Sequence, residues 1–301
     1  MPAVHRERAP AKLTRSLRVT GRRADGYHLI LSEMVALDIG DDLEITDLEI
    51  ANPKIADPEI ADPAAERDGA SALEVVDAVS WTGSGTWSVE DRGHEDGDGV
   101  PPVPTGPDNL VLRALALAGR RARVRLVKRI PPGAGLGGGS ADAAAILRWA
   151  GATDPELASR LGADVPFCVA GGRALVSGIG ERIEPLAPDD ATYLLVTPAL
   201  SVSTARVYAA FDELGPPTGG DEVVNDLERS ALAVEPRLAL VRDVLAEATG
   251  LRPVLAGSGS TWYVPCGAGG TVLMDDVAAA LAEARGRAAI ALARTLGEFA
   301  P

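Results

Sequence analysis

The chain has 301 residues, of which 46% are apolar and 24% charged, and this allows one large domain or two modest ones with a real core. Its 43 Asp and Glu against 29 Lys and Arg give a formal net charge of -14, a balance that repels nucleic acid and anionic lipid. Cys168 and Cys266 lack metal-ligand spacing and read as two reduced thiols, no apolar run is long enough for a membrane span, and the polar start MPAVHRERAP lacks the apolar stretch of a signal peptide, so the cytoplasm is the expected location.

In chain order, residues 11–47 alternate apolar and polar stretches, as in LRVT and LEIT, and predict β-strands with turns at Asp25-Gly26 and Gly40-Asp41. Residues 51–107 are rich in Pro, Ala, Asp and Gly. They include the locally repetitive ANPKIADPEIADP and a Glu95–Gly99 segment followed by prolines through Pro107. They predict an irregular surface insertion with a short strand at Thr86–Val89. A helix is expected over 108–120, with Asp108 or Asn109 as N-cap and an apolar face of Leu110, Leu112, Leu115 and Leu117. Ala122–Ile130 alternates as a half-buried strand, a glycine run follows, and ADAAAILRWA is a strong helix former. In the second half, ATYLLVTP reads as a buried strand, and STARVYAAFDEL and PRLALVRDVLAEAT as helices. PVLAGSGSTWYV reads as two strands around a tight glycine turn, DDVAAALAEARG as a helix and AAIALARTL as a closing strand. The mixture predicts an α+β protein in two parts, 1–168 and 169–301.

The strand–glycine–helix order is the informative local feature. In Pro131-Pro-Gly133-Ala-Gly135-Leu136-Gly137-Gly138-Gly139-Ser140-Ala141-Asp142, glycines allow positive φ and close backbone approach to a ligand. Consecutive N–H groups then form an anion nest, and the helix that starts near Ser140 adds open donors and the positive end of its dipole. Lys128 and Arg129 bring cationic charge to an otherwise acidic chain. A flexible linker fits poorly between a strand and an Ala-rich helix. No Gly-Lys-Ser/Thr follows, so this is not a Walker loop, and the basic, half-exposed strand before it argues against a dinucleotide fingerprint.

Pro131 to Ala141 resembles the second motif of the GHMP kinases. APAKL (Ala9 to Leu13) is similar to the first motif of that superfamily and AGSGSTW (Ala256 to Trp262) to the third. GRRADGYH (Gly21 to His28), PDNLVLRA, LGADVPF and NDLE (Asn225 to Glu228) narrow the resemblance to the kinases of 4-diphosphocytidyl-2-C-methyl-D-erythritol in non-mevalonate isoprenoid synthesis. The resemblance implies a two-domain GHMP kinase fold, ribosomal-protein-S5-like in its N-terminal domain and ferredoxin-like in its C-terminal domain. It implies ATP and Mg²⁺ as cofactors and a small-molecule partner that carries a cytidine diphosphate group.

It also implies roles. Asp164 is the expected base for the acceptor hydroxyl and Lys12 the cation that bridges it to the transferring phosphoryl group. Lys128, Pro131, Gly133, Gly135, Leu136, Gly137, Gly138, Gly139, Ser140, Ala141 and Asp142 are expected at ATP, with Ser140 the candidate metal ligand. Tyr27, His28, Thr204, Tyr208, Thr14, Gly257, Ser258 and Gly259 are expected at the substrate, the aromatics by stacking on the cytosine and His28 by hydrogen bonding to its edge. Read alone, Lys12 is a solvated lysine, Asp164 a cap or turn residue and Tyr208 equally a core helix residue. Two departures stand out: Lys12-Leu13-Thr14 replaces the usual Lys-x-Asn, and the stretch from Ala145 to Leu161 is short for the family, which predicts a truncated helix. Another GHMP-type kinase, for homoserine, mevalonate or a sugar, and a non-catalytic nucleotide-binding homologue are the alternatives. GRRADGYH argues against the former.

Overall fold

The computed structural model describes residues 3–48, 71–82, 102–218, 224–267, 269–284 and 286–297. Thr86–Val89, the repetitive segment and Glu95–Gly99 lie outside the described residues. The first sheet comprises β1 (Val4–Arg22), β2 (His28–Asp47), β3 (Ala72–Asp77), β4 (Ala122–Lys128), β5 (Arg173–Gly178) and β6 (Arg182–Pro185). Its order is β3-β4-β2-β5-β6, with β1 paired to β2; β3 and β4 are parallel and the other pairs antiparallel. Alternation along β2 and β4 turns Leu43, Ile45, Val124 and Leu126 inward. They share one core with α1 (Leu110–Leu117), α2 (Gly138–Ala150) and α4 (Val165–Ala170), while the five-residue α3 (Pro155–Ser159) adds Ala158.

The second sheet, in order β10-β7-β9-β8, contains β7 (Thr192–Pro198), β8 (Val254–Leu255), β9 (Trp262–Pro265) and β10 (Ala288–Arg294). It packs with α5 (Thr204–Leu214), α6 (Glu228–Val234), α7 (Leu238–Thr249) and α8 (Gly270–Glu283) around the fully buried Trp262. A third apolar cluster joins the two sheets: Leu13, Val35 and Leu37 meet Leu136, Tyr193, Leu195 and Tyr263. Burying Leu136 there contributes about 2 kcal/mol towards pinning the glycine loop between the sheets.

Three expectations change. The signal at Gly40-Asp41 is not a turn, because β2 runs through it. A Cβ on Gly40 would lie 2.5 Å from the Ala9 carbonyl, so the glycine serves the close approach of β1. The segment 51–107 carries a strand away from the expected Thr86–Val89: β3, at Ala72–Asp77, pairs in parallel with β4. The division at 168/169 falls inside α4 and ahead of β5 and β6, which complete the first sheet. Between Ala145 and Leu161, α2 stops at Ala150, where Gly151 takes a left-handed C-cap, and Asp154 caps α3. Both cysteines are free and buried, and no helix among the described residues is long and apolar enough to cross a membrane.

Candidate active site

A cleft of about 1210 Å³ opens between the β1–β2 hairpin, the glycine loop, α4 and α5. Lys12, Thr14, Tyr27, His28, Lys128, Pro131, Gly133, Gly135, Gly137, Gly138, Gly139, Ser140, Asp142, Asp164, Thr204, Tyr208, Gly257 and Ser258 line it. Leu136, Ala141 and Gly259, also expected at ligands, do not. Leu136 and Ala141 are buried in the apolar cores, and the Gly259 carbonyl packs where a Cβ on Gly135 would sit.

The register of β1 on β2 slips between Pro10 and Lys12 and again between Thr14 and Ser16, and such irregularities re-aim side chains. Lys12 is buried, its backbone N–H donates to the Leu136 carbonyl at 3.0 Å, and its stem lies under Gly137. Gly137 has φ of 68°, and a Cβ there would sit 2.7 Å from Lys12 Cγ, so both conformation and space demand glycine. Lys12 Nζ lies 3.2 Å from Asp164 Oδ2 and donates to Thr14 Oγ1 at 3.1 Å. Thr14 thus keeps one of the contacts an asparagine amide could make. Asp164 stands at the N-cap of α4, yet its side chain makes no capping bond and turns to Lys12.

Gly137 is also the N-cap of α2. It has no side chain to occupy the open first-turn N–H groups, and Gly138, Gly139 and Ser140 of that turn line the cleft. Lys128 is not the free cation expected from the sequence. Its ammonium is buried between Asp41 and Asp142, 2.8 Å from Asp142 Oδ2. Burial alone would lower the Lys128 pKa, but the two carboxylates overcome it and raise it. Burial pushes the Asp142 carboxyl up to about 7 against the opposing pull of Lys128, and Asp142 Oδ1 has no hydrogen-bond partner.

At the far end of the cleft, Tyr27 is 61% exposed. His28 stacks on Tyr208 with ring centroids 4.6 Å apart and meets Phe211 edge-on. Burial pushes the Tyr208 hydroxyl up to about 12. Thr204 Oγ1 and Ser258 Oγ are 2.8 Å apart, which links the start of α5 to the 256–259 loop.

Residues 109–172 match the family model described as the GHMP kinases N terminal domain. The chain is 35% identical over 280 residues to 4-diphosphocytidyl-2-C-methyl-D-erythritol kinase of Paracoccus denitrificans, covering 87% of each. The chain belongs to this kinase family. It is an ATP-dependent small-molecule kinase. A crystal structure of 4-(cytidine 5'-diphospho)-2C-methyl-D-erythritol kinase superposes with a TM-score of 0.66 at 30% identity, over 97% of this chain and 100% of that one. Homoserine kinase of Cytophaga hutchinsonii, 14% identical with a TM-score of 0.56 and covering 99% of this chain and 96% of that one, shares the fold.

Several residues of this kinase site are missed by sequence reasoning. Asp41 accepts from Lys128 Nζ and from the Arg129 and Ile130 N–H groups, and so holds the entry to the glycine loop. Asn225, inside NDLE, donates to the Leu255 and Gly257 carbonyls and fixes the 255–257 loop. Asp212 bonds His28 Nε2 at 2.7 Å. NDLE was a visible signal without a readable role; Asp41 and Asp212 carry no local signal of theirs.

Proposed function

We propose that the chain transfers the γ-phosphoryl group of ATP to the 2-hydroxyl of 4-diphosphocytidyl-2-C-methyl-D-erythritol, with Asp164 and Lys12 at the transfer point. The observation that carries this is the Lys12–Asp164 pair, 3.2 Å apart, beside a glycine loop that opens the N-terminus of α2. In this reading the loop N–H groups from Gly137 to Ser140 receive the ATP phosphates. The acceptor hydroxyl gives its proton to Asp164 as its oxygen bonds to the γ-phosphorus and the bond to ADP breaks. The Lys12 ammonium steadies both the carboxylate and the phosphoryl oxygens, and little reorganisation is needed because its stem is already packed.

Tyr27, His28 and Tyr208 hold the cytosine, and Thr14, Thr204, Gly257 and Ser258 contact the rest of the substrate. Among the described residues no three His, Cys, Asp or Glu side chains converge as a metal site. Phosphate and water oxygens would therefore hold most of the coordination of Mg²⁺, with the Ser140 hydroxyl as the protein oxygen at hand. Bound there, the ion neutralises phosphate charge.

Purified protein incubated with ATP and the alcohol is expected to yield ADP and the phosphorylated alcohol in equal amounts. No turnover at enzyme concentrations comparable to substrate would sink the proposal. CMP or CDP should compete with the alcohol, which separates this reading from kinases of homoserine, mevalonate or sugars.

A further inference from the structure

His28 opens β2 at the mouth of the cleft, and its side chain is only 10% exposed. Tyr208 stacks on it and Phe211 meets it edge-on, so the ring has little freedom to turn. Its Nε2 lies 2.7 Å from Asp212 Oδ1, near the end of α5. The other carboxylate oxygen, Asp212 Oδ2, lies 3.1 Å from Arg22 Nη1. Arg22 also donates from Nε to the Gly26 carbonyl at 3.2 Å, and so grips the turn that carries Tyr27. Arg22, His28 and Asp212 all line the cleft.

We propose that Asp212, oriented by Arg22, sets which nitrogen of His28 carries the proton and thereby selects cytosine over uracil. The inference rests on the cytidine reading of the site. A carboxylate can only accept, so the shared hydrogen must sit on Nε2. In the neutral ring Nδ1 is then a bare acceptor. Cytosine offers a 4-amino donor to that lone pair, whereas uracil offers the 4-carbonyl oxygen, a second acceptor that repels it. Asp212 does not touch the reacting atoms and is a positioning residue, acting through His28 much as outer carboxylates fix the tautomer of metal-bound histidines.

Asp212→Asn separates the proton from the packing. The amide has one acceptor oxygen, and Arg22, which can only donate, claims it. The amide N–H₂ then faces His28 Nε2 and forces the proton to Nδ1, which becomes a donor that suits uracil. The test compares wild type and Asp212→Asn at pH 8. One readout is KM and kcat for the cytidine alcohol and for its uridine counterpart. The other is the ring tautomer of ligand-free His28 by ¹H–¹⁵N NMR, assigned against His28→Gln.

The wild type is expected to show Nε2–H. The variant is expected to show Nδ1–H, a KM for the cytidine alcohol raised about tenfold, a cytidine-over-uridine preference lowered at least tenfold, and kcat and the ATP KM within twofold of wild type. An Nδ1–H ring in the wild type would overturn the proposal, and needs no variant to observe. So would a variant that keeps Nε2–H and its base preference while the wild type turns over. Failure of the wild type to phosphorylate either alcohol would instead overturn the functional reading and the base selection with it. The two tautomers would still decide whether Asp212 holds the ring.

Discussion

Replacing Lys12 by Met removes an ammonium while keeping a stem of similar length under Gly137, where Lys12 Cγ and Cε line the space a Cβ would enter. At 3.2 Å the Lys12–Asp164 attraction is about 5 kcal/mol gross at an effective dielectric of about 20. Most of that is offset in the ground state by desolvation, because Lys12 is 6% exposed but Asp164 is 32% exposed and can rehydrate when its partner leaves. Folding should therefore lose only about 1 kcal/mol, below the 3–5 kcal/mol typical when a buried charge is abandoned. The catalytic loss is larger. A preorganised group facing charge that develops in the transition state is worth about 3–4 kcal/mol, or 10²–10³ in kcat. Coupled ADP-release kinetics with saturating ATP and the cytidine alcohol should show that fall in kcat, with thermal unfolding nearly unchanged. A Lys12→Met enzyme within tenfold of wild-type kcat would refute the placement of this ammonium at the transfer point.

Asp164→Asn should lower kcat by about 10²-fold or more with little change in the ATP KM, measured in the same assay; near wild-type turnover would remove Asp164 from the mechanism. Gly137→Ala places a methyl group 2.7 Å from the Lys12 stem at φ of 68°, and should cost about 2 kcal/mol in urea unfolding and raise the ATP KM at least tenfold. Asp41→Asn weakens the hold on Lys128 and puts at risk its bonds from the Arg129 and Ile130 N–H groups, and should destabilise by about 2–4 kcal/mol. Asp142 has its pKa raised from 3.8 to about 7, chiefly by burial. An acid that holds its proton more tightly when folded adds stability at low pH, lost as pH rises from about 4 through 7. Asp142→Asn lacks that titration, so its stability relative to wild type should improve between pH 5 and pH 8; an unchanged difference across that range would contradict the assignment.

The features legible in the sequence are those encoded within a few neighbouring residues. Positive φ at Gly133, Gly135 and Gly137, the helix that follows them, the period-two alternation of β4 and the continuous apolar run of β7 arise from local sterics and local burial, so residue type and spacing suffice. The same locality explains the misreadings. Gly40-Asp41 has the composition of a turn, but the bend is denied by the approach of Ala9 from another strand, and Asp41 faces Lys128, 87 residues away. Lys128 looks like a free cation beside a phosphate loop because the carboxylates that enclose it come from β2 and α2. β5 and β6 join the first sheet by pairing on β2 and on each other, a choice that neither strand's own residues announce. Sequence alone determined the strand–glycine–helix order and, through its spaced motifs, the family. The tertiary structure decided which charges remain available to a ligand, because that depends on long-range partners: Asp164 reaches Lys12 from α4 through the packing of the first core, and Asp212 reaches His28 from α5 across the two sheets that burial of Leu13, Leu136 and Tyr193 joins.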